Sequence, residues 1–286
     1  MLPTSRRQRH SSKYSEEMKN VLLIYRAPQF SPNAVEKDKA ILETVGELLR
    51  QEGFSVEYVH EEQLHGTEQA DVCLSMGRLP ATLDWLKRLS AEGCVTINSG
   101  RGVEQTARRQ LDRLMREQQI PAAPLPSEGD DGGYWLKRGD AAAQSKEDVV
   151  FAATRKEMES CLQQFRQRGI SEVVVTQHVP GDVVKFYGVQ GTGFFRYFYP
   201  TDDGDTKFGD ESRNGRACHY AFHAETLNKD AERLSVLTDV KVYGGDCIVR
   251  PDGTYALIDF NDWPSFSRCR AEAAAAIVRL VNHCMK

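Results

Sequence analysis

The feature that most constrains the fold is the alternation running from Lys19 to Ser99. VLLIY is an apolar run of the length of a buried strand, and SPNAVEKDKAILETVGELLRQEG then repeats apolar residues at helical spacing up to a stopping glycine. FSVEYVH, ADVCLSM and CVTINS read as three further strands, the last two separated by a helical segment from Ala81 to Glu92. Strand, helix and strand with short joints predict a small parallel sheet with helices on its faces.

A helix is predicted over Val103 to Gln119, stopped by IPAAPLP, whose three prolines forbid its continuation. The pattern then changes. YWLKRGD is a strand carrying Lys137, followed by KEDVVFAAT, a helix from Arg155 to Arg168 and the strand EVVVTQHV. GDVVKFYGV, GFFRYFYP, VYGGDCIVR and TYALIDFN are strands joined by turns such as Gln190-Gly191-Thr192-Gly193 and Pro251-Asp252-Gly253, which predicts a mostly antiparallel sheet. An Ala-rich helix from Arg270 to Met285 closes the chain. The expected class is α/β (α+β), with a tail at 1–18, a first unit at 19–125 and a second at 126–286 hinged near 177–181.

Composition narrows the function. A chain of 286 residues with 40% hydrophobic and 27% charged residues builds proper cores. Its formal net charge of -4 argues against a dedicated binder of nucleic acid or membrane surface. Seven cysteines, without a CxxC pair or zinc-ligand histidines, read as reduced thiols in a cytoplasmic protein. No run approaches the roughly 18–20 apolar residues of a membrane span. The basic, polar N-terminus lacks the apolar core of a secretory signal, so it is expected to be a disordered tail, with Met18 opening the folded unit.

One stretch carries chemistry. In YALIDFND an apolar strand ends in Asp259, Asn261 and Asp262. A hairpin centred on Asp252-Gly253 sets Asp246 directly opposite Asp259, and Asp259 shares a face with Asn261. Two facing carboxylates repel, and neither strand carries a Lys or Arg on that face. Oxygen ligands so few in number suit Mg²⁺ or Mn²⁺ shared with substrate phosphates. Spacing alone leaves two readings open, a divalent-metal site and ordinary turn chemistry at a strand exit, because a register slip of one residue sends Asp246 to the other face.

From about Val21 to its end, the chain resembles the ATP-grasp superfamily of carboxylate–amine ligases, which includes glutathione synthetase and D-alanine:D-alanine ligase. INSGRGVEQTARRQLDRLMREQQIPAAPLP resembles the helix and exit leading into the nucleotide domain, and YWLKRGD its phosphate-binding lysine strand. EVVVTQHVPG resembles the hinge that reads adenine, and GGDCIVRPDGTYALIDFNDWP the metal hairpin. The resemblance implies an N-terminal parallel sheet followed by a two-part, mostly antiparallel nucleotide-binding region. It also implies ATP and Mg²⁺ (or Mn²⁺), with a small-molecule or peptide carboxylate activated as an acyl phosphate for attack by an amine.

Carried onto this chain, the resemblance makes Lys137 the contact to the α and β phosphates and Arg113 the cation of the preceding helix. Gln177, His178 and Val179 would face adenine, with Val179 as donor because residue 180 is proline. Asp182 would meet the ribose, and Lys185 and Arg196 the γ phosphate or substrate, while Asp246, Asp259 and Asn261 would hold the metal. Candidate substrate cations are Arg138, Arg268, Arg270 and, in the polar insert at 201–220, Lys207, Arg213 and Arg216. Three departures stand out: RGDAAAQSKEDV replaces a glycine-rich flap, Asp262-Trp263-Pro264-Ser265 replaces a Pro-Gly exit, and Gly244 occupies a place where ligases often carry an arginine. Alternative readings are a kinase of the inositol-phosphate-kinase type on the same fold, and a non-catalytic nucleotide-binding module. The resemblance leaves room for a homodimer.

Overall fold

The computed structural model describes residues 18–129, 132–140, 145–203 and 213–286; the expected tail apart from Met18, and Lys207, lie outside the described residues. β1 (Asn20–Tyr25), β2 (Ser55–His60), β3 (Val72–Ser75) and β4 (Val95–Ile97) form a parallel sheet in the order β2-β1-β3-β4. The strands are apolar on both faces because both are covered. Val21 and Leu23 pack on Ile41, Leu42 and Val45 of α1 (Val35–Gln51). Leu22 and Ile24 pack on Leu83, Trp85 and Leu86 of α2 (Pro80–Ala91).

The single helix expected over 103–119 is two, α3 (Gly100–Gln105) and α4 (Arg108–Glu117). At the break, Thr106 Oγ1 donates to the Val103 carbonyl at 2.7 Å, a local bond that competes with helix propagation. The Arg109 N–H then donates to the Gly139 carbonyl at 3.1 Å, so α4 begins against the next sheet. In that sheet β5 (Tyr134–Arg138) runs antiparallel between β6 (Val149–Ala152) and β7 (Val173–Gln177), backed by α5 (Arg155–Gln167).

β8 (Asp182–Val189), β9 (Phe194–Phe198), β10 (Val242–Val249) and β11 (Tyr255–Asp262) form the third sheet, antiparallel in the order β11-β10-β8-β9. A single turn, α6 (Pro200–Asp203), follows β9, and α7 (Ala224–Thr238) sets Leu227, Ala231 and Leu234 against Phe186, Cys247 and Phe260. The sequence reading passed over α7. α8 (Arg270–Cys284) packs Ala273, Ala276 and Ile277 into the core of α1 and the parallel sheet. Asn98 ties the same layers together: Val242 donates its N–H to Asn98 Oδ1 at 2.9 Å and accepts from Asn98 Nδ2 at 2.8 Å. Among the described residues, no helix is long and apolar enough to cross a membrane.

Candidate active site

The hairpin places its acids in an unexpected way. Next to the turn, Val249 pairs with Tyr255 and Cys247 with Leu257, a register centred on Asp252 and one residue out from the expectation. Ile258 then bulges, and beyond it Asp246 does lie opposite Asp259, with Gly244 opposite Asn261. The turn register differs by one residue from the one the spacing predicts, and the bulge makes up the difference. Bulging leaves the Ile258 carbonyl turned out of the ladder, and Lys137 Nζ donates to it at 2.8 Å.

The cations absent from these two strands come from their neighbours. Lys185, across from Asp246 on β8, donates to Asp246 Oδ1 at 3.0 Å. Arg108, from the first turn of α4, reaches 3.7 Å from Asp259 Oδ2 and donates to the Arg138 carbonyl at 3.0 Å. Burial pushes the Asp259 carboxyl up, but Arg108, Lys137, the Asn261 amide and Lys185 together bring it below its ordinary value. Burial, with Arg108 adding to it, lowers the Lys137 ammonium to about 8 against the pull of Asp259. Asp246, Asp259, Asn261, Lys137, Lys185 and Arg108 all line one cavity of about 1370 Å³, in which Lys and Arg outnumber Asp and Glu.

One wall of the cavity is built by β5 and β7. Gln177 and His178 spend their N–H groups on the carbonyls of Pro124 at 2.8 Å and Gly133 at 2.9 Å. Val179 N–H donates to no atom among the described residues, while its carbonyl accepts from Asn214 Nδ2 at 3.2 Å. Gln177, His178 and Val179 line the cavity beside Trp135, whose Nε1 donates to His178 Nδ1 at 3.1 Å. Burial, then Arg213, lowers the His178 ring below its ordinary value.

Several expected residues lie elsewhere. Arg113 is 80% exposed and paired with Glu117 one turn away, because the break before α4 turns Arg108 inward instead. Arg196 sits on the outer strand β9, paired with Glu272 of α8. Asp182 is buried and accepts from the N–H groups of Cys218 at 2.7 Å and Tyr220 at 2.8 Å, which fastens the polar insert. Strand alternation turns Arg138 away from Lys137 and onto Asp140 at 2.6 Å. Arg213 lies over the Phe151 ring at 3.8 Å, and neither Arg216 nor Arg270 lines the cavity. Arg268 does, and its Nη1 donates to the Tyr199 carbonyl at 3.4 Å.

Arg26, Asp38 and Arg78 of the same cavity escaped the sequence reading, which noted Asp262 only at the strand exit. Asp262, on the opposite face from Asp259 and Asn261, is buried and held by Arg26 Nη2 at 3.2 Å and by Arg78 Nη2; Arg26 Nη1 also meets Asp38 at 3.3 Å. Burial, then Arg78, lowers the Arg26 guanidinium below its usual range. Two carboxylates and an amide side by side fit a hard cation that takes its remaining ligands from phosphates and water. Among the described residues, no group of three or more His, Cys, Asp or Glu is placed to hold a metal without such help.

No protein-family model and no curated protein matches the sequence. Solved structures are similar. D-alanyl-alanine synthetase A from Vibrio cholerae superposes with a TM-score of 0.67 at 14% identity, over 93% of this chain and 97% of that one. A RimK domain ATP-grasp protein from Sphaerobacter thermophilus gives 0.64 at 16%, over 92% and 99%. The ATP-grasp ligase PsnB, in complex with a precursor variant, Mg and ADP, gives 0.62 at 12%, over 94% and 100%. At these identities the likeness is one of architecture: the chain is built on the ATP-grasp fold.

Proposed function

We propose that the chain is an ATP- and Mg²⁺-dependent ligase that activates a carboxylate as an acyl phosphate for attack by an amine. The observation that carries this reading is the meeting of Lys137, Lys185 and Arg108 with Asp246, Asp259 and Asn261 on the wall of one cavity. Its volume of about 1370 Å³ exceeds the roughly 300–1,000 Å³ of ordinary ligand pockets, which leaves room for a second substrate beside a nucleotide. The ligases that share its fold support the same reaction class.

Adenine takes the N–H of Val179, and Lys137 and Arg108 neutralise the phosphate chain as fixed charges. Lys185 leaves Asp246 to meet the γ phosphate. Mg²⁺, held by Asp246, Asp259 and Asn261, would supply charge neutralisation across the phosphates. A carboxylate oxygen of the substrate attacks the γ phosphorus and ADP departs. The amine nitrogen then attacks the acyl carbon, inorganic phosphate leaves, and the nitrogen gives up a proton to solvent as the amide forms. Positioning and charge do most of the work, as in other phosphoryl transfers.

The test is thermal unfolding with AMP-PNP, with Mg²⁺ and with both, followed by a screen of acids and amines for ADP release. A native-state ligand at a hundredfold excess over its Kd adds about 2.7 kcal/mol of stability. Stabilisation only by the pair, and ADP release that needs both an acid and an amine, are expected. ADP release that needs a hydroxyl acceptor and no amine would make the protein a kinase instead.

A further inference from the structure

The two arginines on Asp262 differ in how far the protein uses them. Every nitrogen of the Arg26 guanidinium has a partner: Nε donates to the Met76 carbonyl at 3.0 Å, Nη1 to Asp38 at 3.3 Å, and Nη2 to the Asp262 carboxylate and the Trp263 carbonyl at 3.2 Å. The Arg78 backbone N–H donates to Glu61 Oε2 at 2.7 Å, but its guanidinium makes one hydrogen bond among the described residues, from Nη2 to Asp262 Oδ1, and its Nε is buried with no partner. A guanidinium carries five N–H donors in a planar fork. Most of this one's capacity is unspent, and its side chain, 15% exposed, lines the cavity.

The hairpin cannot supply a cation of its own here. Gly244 stands opposite Asn261, and a Cβ on it would lie 2.9 Å from both Pro264 Cγ and Tyr187 Cδ1. An arginine grafted onto β10 has no room. The loop between β3 and α2 brings Arg78 to the hairpin's end from the other layer instead, and Asp262 fixes it in place before any ligand arrives. A planar fork held in position suits a carboxylate, which accepts two parallel hydrogen bonds and loses little entropy in doing so.

We propose that Arg78 is the acceptor-binding arginine, whose open edge holds the carboxylate of the acid substrate beside the metal hairpin. The identity of that acid rests on the ligase reading; the subsite does not. Malonate serves as the probe, titrated at constant ionic strength against the full chain, alone and with saturating AMP-PNP and Mg²⁺, with unfolding temperature as the readout. Wild type is expected to gain stability with malonate, and Arg78→Gln to bind it at least tenfold more weakly while keeping its response to AMP-PNP and Mg²⁺. Arg78→Lys, which keeps the charge against Asp262 but not the fork, should fall between them, and it is the variant to read if Arg78→Gln does not fold. A wild-type malonate response in Arg78→Gln, or none in wild type with or without nucleotide, overturns the proposal. Loss of the AMP-PNP response with the malonate response intact would sink the ligase reading and leave the subsite standing.

Discussion

Lys137 shows how one side chain is tuned by what packs around it. Its folded pKa of about 8 lies below the ordinary 10.5. Between these values the unfolded chain holds a proton that the native state has released, so stability rises with pH through that window and the penalty for the charged form is complete below it. Chemical denaturation should therefore show the stability gap between wild type and Lys137→Met changing between pH 8 and 10.5 and level outside it. Nucleotide phosphates favour the protonated form, so affinity for AMP-PNP should fall as pH rises above 8, by at most about tenfold per pH unit, and Lys137→Met should lack the slope. Asp259 is the counterweight to Lys137 and Arg108. Asp259→Ala should abolish Mg²⁺-dependent turnover and cost about 1–3 kcal/mol by stranding those cations; wild-type turnover would remove Asp259 from the proposed metal site. At this scale the sequence was readable where strand alternation was applied, as for Asp259 and Asn261; applied to β5 it would also have turned Arg138 away from Lys137. It was unreadable where a helix phase decides: Arg108 and Arg113 exchange places because of one side-chain bond at Thr106.

The hairpin is the element on which the site depends, and its geometry rests on small residues as much as on acids. Gly245 packs flat against its partner strand, where a Cβ would stand 2.4 Å from the Asp259 carbonyl oxygen and 2.4 Å from Phe186 Cζ. The carbonyl belongs to the ladder and cannot move away without opening it. Gly245→Ala should cost about 1–3 kcal/mol by overpacking, and it should weaken Mg²⁺-dependent AMP-PNP binding through displacement of Asp259. Unchanged stability and binding in a paired urea and thermal-shift measurement would show the strand to be more pliable than this. The strands and turn were legible because Pro251-Asp252-Gly253 sits between two alternating apolar runs. The bulge at Ile258 was not, since nothing in its apolar neighbours marks which residue will be left unpaired. α7 carried a usable signal in Leu227, Ala231 and Leu234, spaced for one helical face, and only its polar surroundings obscured it.

At the scale of the molecule, the parallel layer and the third sheet are locked by a buried ion cluster that no local pattern announces. Arg78 and Asp262 are separated by 184 positions and Arg26 and Asp262 by 236, so their meeting is a property of the assembled fold. Asp262 is 1% exposed at its side chain, and although burial raises its pKa, Arg78 and then Arg26 hold it below the ordinary value. A carboxyl lowered in this way contributes stability above its unfolded pKa and loses it as pH falls through the lower folded one. Asp262→Asn leaves two buried guanidinium groups facing a neutral amide, which typically costs about 3–5 kcal/mol. Urea unfolding at pH 7 should show that loss, followed by tryptophan fluorescence, because Trp263 donates to the Ile97 carbonyl across the same junction. As the pH is taken down through the carboxylate range, the wild-type midpoint should fall towards that of Asp262→Asn, whose own midpoint changes less. A variant as stable as wild type at pH 7, or two curves parallel through the acid range, would mean that apolar packing of α8 against α1, and not this cluster, holds the layers together.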